Sequence, residues 1–565
     1  MSNQHQPVFI PWRYYLIIAI IATAVLGLVW RVIDLAIFDQ HFLRHQGDER
    51  FLREVRTPAF RGMILDRNGF PLAISTRVYS AWYNPQTFNA SNKELKALAK
   101  CIDMKPAELQ ALVKRNQKTK REFIYIKRSL SPEVAANIKT LNIAGVYTQE
   151  EYRRFYPEGE VTSHVVGFTN VDDHGQEGLE LGYNNWLQGE QGKKWVIKDR
   201  LGRIISDVQL VQEQKPGRDL TLSIDRRIQY LAYRELLKGV VDNQAVSGTV
   251  VVLDAKTGEI LAMVNQPSFN PNNRPDGHMS DHYRNRAVTD TFEPGSTIKP
   301  FSVASALDSG HFKPNTLIDT SPGWIRVGRN VVMDHERQGV LTVTQVLQKS
   351  SNVGVTKMVL SLPANQLWNE LHHMGFGEPT GIAFPGEQDG SLVKHDPWGQ
   401  FVLATMAFGY GISATPLQLA RAYIAIANDG VLLPVSLLKL DTPPTGVQVM
   451  NKNRSHELLA MLETVVQKGG TAEAASVPGY RVAGKTGTAK LAGPHGYLQH
   501  HYTSTFIGIA PVTNPRLVVA VIIHDPQGKQ YYGGQVSGPV FSRIMEGTLR
   551  ILDIPPDEMP ASTQK

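Results

Sequence analysis

The apolar positions of this chain fall into three regimes, and the first is the simplest. Residues 14–30 carry no charge and are bounded by Arg13 and Arg31. At about 1.5 Å per residue that block extends roughly 25 Å, and Val32, Ile33, Leu35, Ala36 and Ile37 lengthen it toward the ~30 Å of a hydrocarbon core. Tyr14, Tyr15 and Trp30 stand where interfacial aromatics belong, and Arg31 is placed to snorkel to the headgroups. The pattern predicts a membrane anchor over 14–37 behind a cytoplasmic tail of 1–13. The competing reading is a signal peptide cleaved at Ala22-Thr23-Ala24, which would leave residues 25–30 as an exposed apolar terminus.

The second regime, residues 40–217, alternates short polar and apolar stretches with turn signals. Asp66-Arg67-Asn68-Gly69 predicts a hairpin turn between strands at 63–65 and 71–74. Leu95, Leu98, Ile102, Leu109 and Leu112 recur at helical spacing, which predicts one helix over 93–113. Gln214-Lys215-Pro216-Gly217 marks a boundary. The third regime, 218–552, predicts a strand at 220–224, a helix over 225–237 capped by Asp225, and paired strands at 248–253 and 260–264. A helix over 416–428 follows the cap Thr415, then a strand at 517–524 and a closing helix over 540–552. Strands at both ends with helices between predict an α+β domain whose sheet joins distant segments. Residues 553–565 are expected to be a disordered tail.

Composition changes this picture little. The 565 residues are too many for one ordinary core, and 42% hydrophobic with 20% charged residues describe a folded protein. A net charge of +7 suits an anionic surface or simple solubility. No long Lys/Arg run or Cys/His finger is present, which argues against nucleic acid, and the lone Cys101 rules out an internal disulfide.

The chemistry centres on Glu293-Pro294-Gly295-Ser296-Thr297-Ile298-Lys299-Pro300. With a helix starting near Ser296, Ser296 and Lys299 share a face, so the amine can hold the hydroxyl and take its proton. The helix N-terminus adds a positive dipole and free N–H groups suited to an oxyanion. Pro300 lacks the N–H that would bond the Ser296 carbonyl, so this turn should be kinked. Alone, S-x-x-K is weak, since Ser436-Leu437-Leu438-Lys439 repeats it and reads as structure. Two further motifs follow: Ser350-Ser351-Asn352, between helical stretches, and Lys485-Thr486-Gly487-Thr488, in a strand-like stretch. An earlier Lys256-Thr257-Gly258 reads as a turn. The ordered set S-x-x-K, S-x-N, K-T-G is the signature of penicillin-binding proteins and class A β-lactamases.

These residue types are needed together. Ser296 would attack a peptide carbonyl and form an acyl-enzyme. Lys299 must be neutral for part of the cycle, and burial beside a second cation, Lys485, lowers its pKa in the required direction. Ser350 is placed to relay a proton to the leaving amine, and Asn352 to orient Lys299 and the substrate amide. Gly487 lets substrate approach the strand backbone. The N–H groups of Ser296 and Thr488 would form an oxyanion hole, worth roughly 3–4 kcal/mol per donor. The hydroxyls of Thr486 and Thr488, with Lys485, would hold a substrate carboxylate. Tyr410, Tyr531 and Tyr532 either line a substrate wall or belong to core and loops.

Three rival patterns were weighed. Residues 479–486 match the P-loop form G-x-x-x-x-G-K-[ST], but lack an apolar strand before and a helix at the lysine. Residues 409–414 resemble a dinucleotide fingerprint without a correctly placed acidic residue. The histidine pairs 372–373 and 500–501 come without carboxylates at ligand spacing, so no metal is expected.

Along almost its whole length the chain resembles class B penicillin-binding proteins, and the septal, cell-division type in particular. The resemblance rests on the three motifs together with residues 61–69, Arg154-Phe155-Tyr156-Pro157-Glu158-Gly159, residues 164–170 and Gly175-Gln176-Glu177-Gly178-Leu179-Glu180. Arg284-Asn285-Arg286, Gly409-Tyr410-Gly411, Thr415-Pro416-Leu417-Gln418 and Tyr531-Tyr532-Gly533-Gly534 also fit. It implies an N-terminal pedestal domain over 40–217 and a penicillin-recognising transpeptidase domain over 218–552, an antiparallel sheet flanked by helices. It implies a D,D-transpeptidase that acylates on D-Ala-D-Ala stem peptides of lipid-linked nascent glycan and passes the acyl group to an amine, and that β-lactams block. It further implies a single-pass bacterial inner-membrane protein with a periplasmic catalytic domain at the division site. The implied partners are a septal glycan polymerase and other division proteins, with no cofactor. Alternatives are an elongation-type transpeptidase, a D,D-carboxypeptidase, or a penicillin-binding sensor or scaffold without turnover.

Overall fold

The computed structural model describes residues 11–40, 52–198, 204–274, 280–493 and 496–558. Helix Pro11–Ile33 continues as a π-helical turn, Asp34–Phe38. The apolar stretch Trp12–Phe38 has mean hydropathy 2.5 and none of it is buried by protein. One helix long and apolar enough to span a bilayer therefore stands at the expected place. Arg31 does not reach outward alone: it pairs with Asp34 one turn on, so the span ends on a neutralised pair.

The chain forms two compact units. The first comprises residues 1–59, 78–151 and 190–216, the second 60–77, 152–189 and 217–565. In the first unit, helices Asn92–Cys101, Pro106–Asn116 and Pro132–Thr140 share a core with residues 78–83 and the strand Ile124–Leu130, built on Leu98, Leu109, Ile126 and Ile138. The single helix expected over 93–113 is in fact two. Asp103 adopts φ +50°, a left-handed conformation that ends the first helix, and Pro106 opens the second at its first turn, where a missing N–H costs nothing.

In the second unit the predicted hairpin is present: strands Ile64–Leu65 and Pro71–Tyr83 pair antiparallel around Gly69 at φ +85°. The Asp66 carboxylate holds the turn, accepting from the N–H groups of Asn68 and Phe70, each at 2.8 Å. The strand expected at 220–224 is only Leu220–Thr221. Three motifs far apart in sequence meet in one buried ionic cluster. Glu180 accepts from Arg61 at 2.7 Å through one oxygen and from Arg154 at 2.6 Å through the other. All three side chains are at most 1% exposed. Arg61 also donates to the Asp173 carbonyl and to Asn184 Oδ1, each at 3.1 Å.

The functional half of this unit is a five-stranded antiparallel sheet. We label its strands β1 (Ala245–Asp254), β2 (Ile260–Gln266), β3 (Ala483–Gly493), β4 (Gly496–Ala510) and β5 (Leu517–Pro526); their spatial order is β2-β1-β5-β4-β3. Segments from both ends of the domain thus join in one sheet, as the pattern predicted. Its residues alternate between two cores. Val250, Val252 and Phe506 face one with helix α1 (Arg226–Asp242), while Val251, Leu253 and Ile507 face the other. That second core holds helices α2 (Lys299–Asp308), α3 (Asn352–Leu360), α4 (Pro416–Ala427) and α5 (Lys452–Val466). The closing helix α6 is longer than expected, Gly533–Ile551, and runs through Pro539. The sequence reading stopped at that proline; here its one missing donor is outweighed by packing of the first turn against the sheet. A Cβ on Gly533 would lie 2.3 Å from the Thr505 carbonyl oxygen and 2.4 Å from that of Gly487.

The tail expected to be disordered over 553–565 is tied down where it is described. Asp557 accepts from the Arg481 N–H at 2.7 Å and from Thr513, and Ile554 is buried. Residues 1–10 and 559–565 lie outside the described chain.

Glu180→Ala leaves two guanidinium groups buried without their carboxylate, a cost of about 3–5 kcal/mol. A melting temperature lowered by several degrees in a thermal scan of the full chain is expected; an unchanged value would mean the cluster is not buried as described.

Candidate active site

Ser296 lies in a 3₁₀ turn, Gly295–Ile298, that leads directly into α2. This resolves the conflict posed by Pro300. The Ser296 carbonyl accepts from the N–H of Lys299, three residues on, and the missing donor of Pro300 is never required. In a 3₁₀ turn residues three apart eclipse one another, so Ser296 and Lys299 stand on one edge. The turn is clamped by its neighbours. Gly295, at φ +55°, donates to the Gly409 carbonyl at 3.1 Å, and the buried Tyr423 hydroxyl donates to the Thr297 carbonyl at 2.7 Å. Gly409 itself sits at φ +83°, and a Cβ there would lie 2.1 Å from the Gly295 carbonyl oxygen.

Behind the serine lie two lysines, both 0% exposed. Lys299 Nζ donates to the Ser350 carbonyl at 2.5 Å and to Asn352 Oδ1 at 2.7 Å, and lies 3.2 Å from Ser350 Oγ. Lys485 Nζ lies 3.0 Å from the same Ser350 hydroxyl, 3.1 Å from the Thr486 carbonyl and 3.3 Å from Thr486 Oγ1. Burial lowers the Lys299 amine to about 7, although the Asp334 carboxylate pulls upward. Lys485 is held well below its ordinary value by burial and by the charge of Lys299. Burial is the leading cause for both amines, and repulsion between the two charges acts in the same direction. Of the partners around Lys299, a carbonyl and an amide oxygen can only accept; a hydroxyl can also donate. Proton exchange with that amine therefore runs through hydroxyl groups.

Ser350 adopts φ +57°, strained for a residue with a side chain, which turns its carbonyl as well as its hydroxyl toward Lys299. Asp334 holds this geometry, and the sequence reading missed it. Its carboxylate accepts from Ser351 Oγ at 2.7 Å and from the backbone N–H groups of Asn352 and Val353 at 2.5 and 2.9 Å, capping α3 with an anion. Asn352 Nδ2 donates to the Met333 carbonyl at 2.9 Å, which fixes the amide with its oxygen toward Lys299.

The edge strand β3 forms the opposite wall. Ser296, Ser350, Thr486, Thr488, Tyr532 and Gly533 line one cavity of about 500 Å³. The N-terminus of α6 opens into it, and its first N–H, from Gly533, donates to Thr488 Oγ1 at 3.0 Å. Thr486 Oγ1 lies 3.0 Å from Thr471 Oγ1. Gly487 has a packing reason of its own: a Cβ would lie 2.9 Å from Thr297 Cγ2 and 3.0 Å from the Pro294 carbonyl oxygen, in the serine turn. The three tyrosines separate. Tyr532 lines the cavity, while Tyr531 stacks behind it on Tyr502 with centroids 4.3 Å apart. Tyr410 is not among the cavity's lining; its hydroxyl accepts from the Lys490 N–H at 3.2 Å and so steadies β3 from outside.

The rival motifs lie elsewhere. Lys485 falls inside strand β3, where a P-loop needs a helix to begin. Lys256 and Thr257 sit in the turn between β1 and β2, and Ser436 makes only backbone-directed bonds. His372 stacks on Trp368, and His501 pairs with Asp525.

The chain matches the "Penicillin binding protein transpeptidase domain" over residues 248–546 and the "Penicillin-binding Protein dimerisation domain" over residues 56–222. The chain belongs to the penicillin-binding proteins. Among relatives of this penicillin-binding protein, the probable peptidoglycan D,D-transpeptidase PbpC of Pseudomonas aeruginosa is 43% identical over 563 residues, 100% of this chain and 98% of that one. The peptidoglycan D,D-transpeptidase FtsI of Escherichia coli is 42% identical over 556 residues, 98% and 94% of the two chains. Penicillin-binding protein 3 of Mycobacterium tuberculosis, solved in complex with aztreonam, superposes with TM-score 0.70 at 28% identity, covering 89% of this chain and 98% of that one. Both domains of a class B penicillin-binding protein are therefore present, behind an N-terminal apolar helix long enough to span a membrane.

Two outcomes are expected. Because only the neutral amine takes a proton, the acylation rate should rise about tenfold per pH unit below pH 7 and level off above it, following Lys299. A flat profile from pH 5 to 9 would remove Lys299 as the base. Gly409→Ala should slow acylation at least tenfold in a stopped-flow assay, since the new Cβ displaces Gly295; wild-type rates would show that the turn is not held by this contact.

Proposed function

We propose that this chain is the D,D-transpeptidase that cross-links peptidoglycan during septal wall synthesis, with residues 40–217 as pedestal and 218–552 as the catalytic domain. The observation that carries the site assignment is the single Ser350 hydroxyl within reach of both buried amines, in the cavity that Ser296 enters. Ser296 attacks the penultimate D-Ala carbonyl and loses its proton to Lys299. The N–H groups of Ser296 and Thr488 take the oxyanion. The proton passes through Ser350 to the leaving D-Ala amine, leaving an ester on Ser296. Asn352 holds Lys299, and Thr486, Thr488 and the N-terminus of α6 hold the donor's terminal carboxylate, with the Lys485 amine behind them. An acceptor amine then displaces the serine. β-Lactams present the same carbonyl geometry and stay bound as esters.

The anchor and the relatives' names support a single-pass inner-membrane protein. We assign the catalytic domain to the periplasm at the division site, in contact with a septal glycan polymerase. The reaction needs nothing beyond the side chains named.

Intact mass after exposure to benzylpenicillin tests the assignment. One stable adduct on the wild-type chain in detergent, and none on Ser296→Ala, is expected; an adduct surviving on the alanine variant would place the nucleophile elsewhere.

A further inference from the structure

The cavity has a second wall that the reaction above leaves unused. After the hairpin Trp324–Val327 and Asn330–Met333 the chain turns, and His335, Glu336 and Gln338 line the same cavity as Ser296 and Thr488. Asp334, at the head of this turn, is fully engaged by α3. Glu336 is not: among the described residues it takes one hydrogen bond, from Gln338 Nε2 at 2.9 Å, and no cation pairs with it. The lysine on the cavity lining, Lys349, is occupied, donating to the Gly469 carbonyl at 2.8 Å. His335 makes no side-chain hydrogen bond among the described residues; its ring meets the edge of Tyr532 at 5.8 Å between centroids. The charged groups around His335 are Lys299, Asp334 and Glu336. His335 is exposed overall; the desolvation it does have, with the charge of Lys299, holds its imidazole below the usual value against the pull of the two carboxylates, so at neutral pH the ring is uncharged.

An unpaired carboxylate beside an uncharged imidazole answers a specific need. An alkyl amine acceptor arrives as an ammonium ion, with a pKa near 10.4, and cannot attack until it loses a proton. Lys299 is already committed to the Ser350 carbonyl and to Asn352 Oδ1, and the acylation step makes no use of the His335–Glu336 turn. We infer that the His335–Glu336 turn is the acceptor subsite, in which Glu336 binds the incoming ammonium and His335 takes its first proton. This rests on the transpeptidase reading above. The freed amine attacks the ester carbon and a C–N bond forms. The C–O bond to Ser296 then breaks, the amine's second proton passes through Lys299 to Ser296 Oγ, and His335 releases its proton to solvent. Ester and ammonium become amide, serine hydroxyl and one proton. The occupant is an amino acid or peptide end that carries a primary ammonium.

The test uses the full chain in detergent, an N-acyl-D-alanyl thioester as donor, and two nucleophiles: a lysine-ended peptide, and hydroxylamine, uncharged at neutral pH. Glu336→Gln is expected to raise the peptide concentration for half-maximal transfer about tenfold, equivalent to ~1.4 kcal/mol, while the response to hydroxylamine keeps its wild-type concentration dependence. Glu336→Asp should recover part of the loss. His335→Gln should lower peptide transfer at saturation about tenfold near neutral pH, with recovery as pH rises and free amine becomes available. Equal losses for both nucleophiles, or no change in peptide dependence, would overturn the inference while leaving transpeptidation intact. A wild-type chain that neither consumes thioester nor takes up penicillin would instead overturn the reading on which it rests.

Discussion

Two lysine amines share one hydroxyl in the interior of this protein, and most of the fold around them exists to make that tolerable. An ammonium group removed from water is expensive, and two in one site repel as well. Ser350 has one proton to give and two amines to satisfy, at 3.2 and 3.0 Å, so it must accept from one when it donates to the other. The two amines are therefore linked: a change of protonation at one is felt at the other through a single O–H. Asp334 supplies the nearest negative charge, and it does so from the far side of the α3 N-terminus, where it is held by three hydrogen bonds and cannot swing in to form an ion pair. Held at that remove, it moderates the site without fixing Lys299 in its charged form.

The parts legible in the sequence were those written in local chemistry. The anchor, the cap at Asp225, the turn at Asp66 and the hydrophobic strands of the sheet all announce themselves within a dozen residues. Ser296, Lys299, Ser350, Asn352, Lys485 and Thr488 were candidates because their motifs are short and their order is specific, and the structure brings their segments together around one cavity. What escaped was set by contacts across the fold. Asp334 belongs to no motif, and only the tertiary position of the hairpin brings it to the start of α3. The true start of α6 was hidden by Pro539, a local signal that packing of two glycines on the sheet overrides. The break at Asp103 was hidden by apolar spacing that continues in phase across it. Tyr410 could be read as wall or support from sequence, and only its bond to the Lys490 N–H separates the two.

Glycine recurs at the joints of the site for a steric reason. Gly409 and Gly487 each lie where a Cβ would collide with the serine turn, one from below and one from the neighbouring strand, and Gly533 meets the same strand from the other side. Backbone is thus packed directly on backbone around Ser296, which leaves little freedom for the turn to relax. That closeness lets a strained Ser350 and a 3₁₀ turn persist side by side.

The strand order β2-β1-β5-β4-β3 also governs when the protein can become reactive. The serine turn lies mid-chain, yet its wall is β3, and β3 reaches the older strands only through β4 and β5, which follow it in sequence. α6, whose first turn seats against Thr488, comes later still. A growing chain that has already made Ser296 and Lys299 therefore has no wall, no cavity and no second lysine until nearly all of it has been synthesised. Interrupted products of translation carry an exposed serine and an ordinary, charged lysine, and are chemically inert toward the wall.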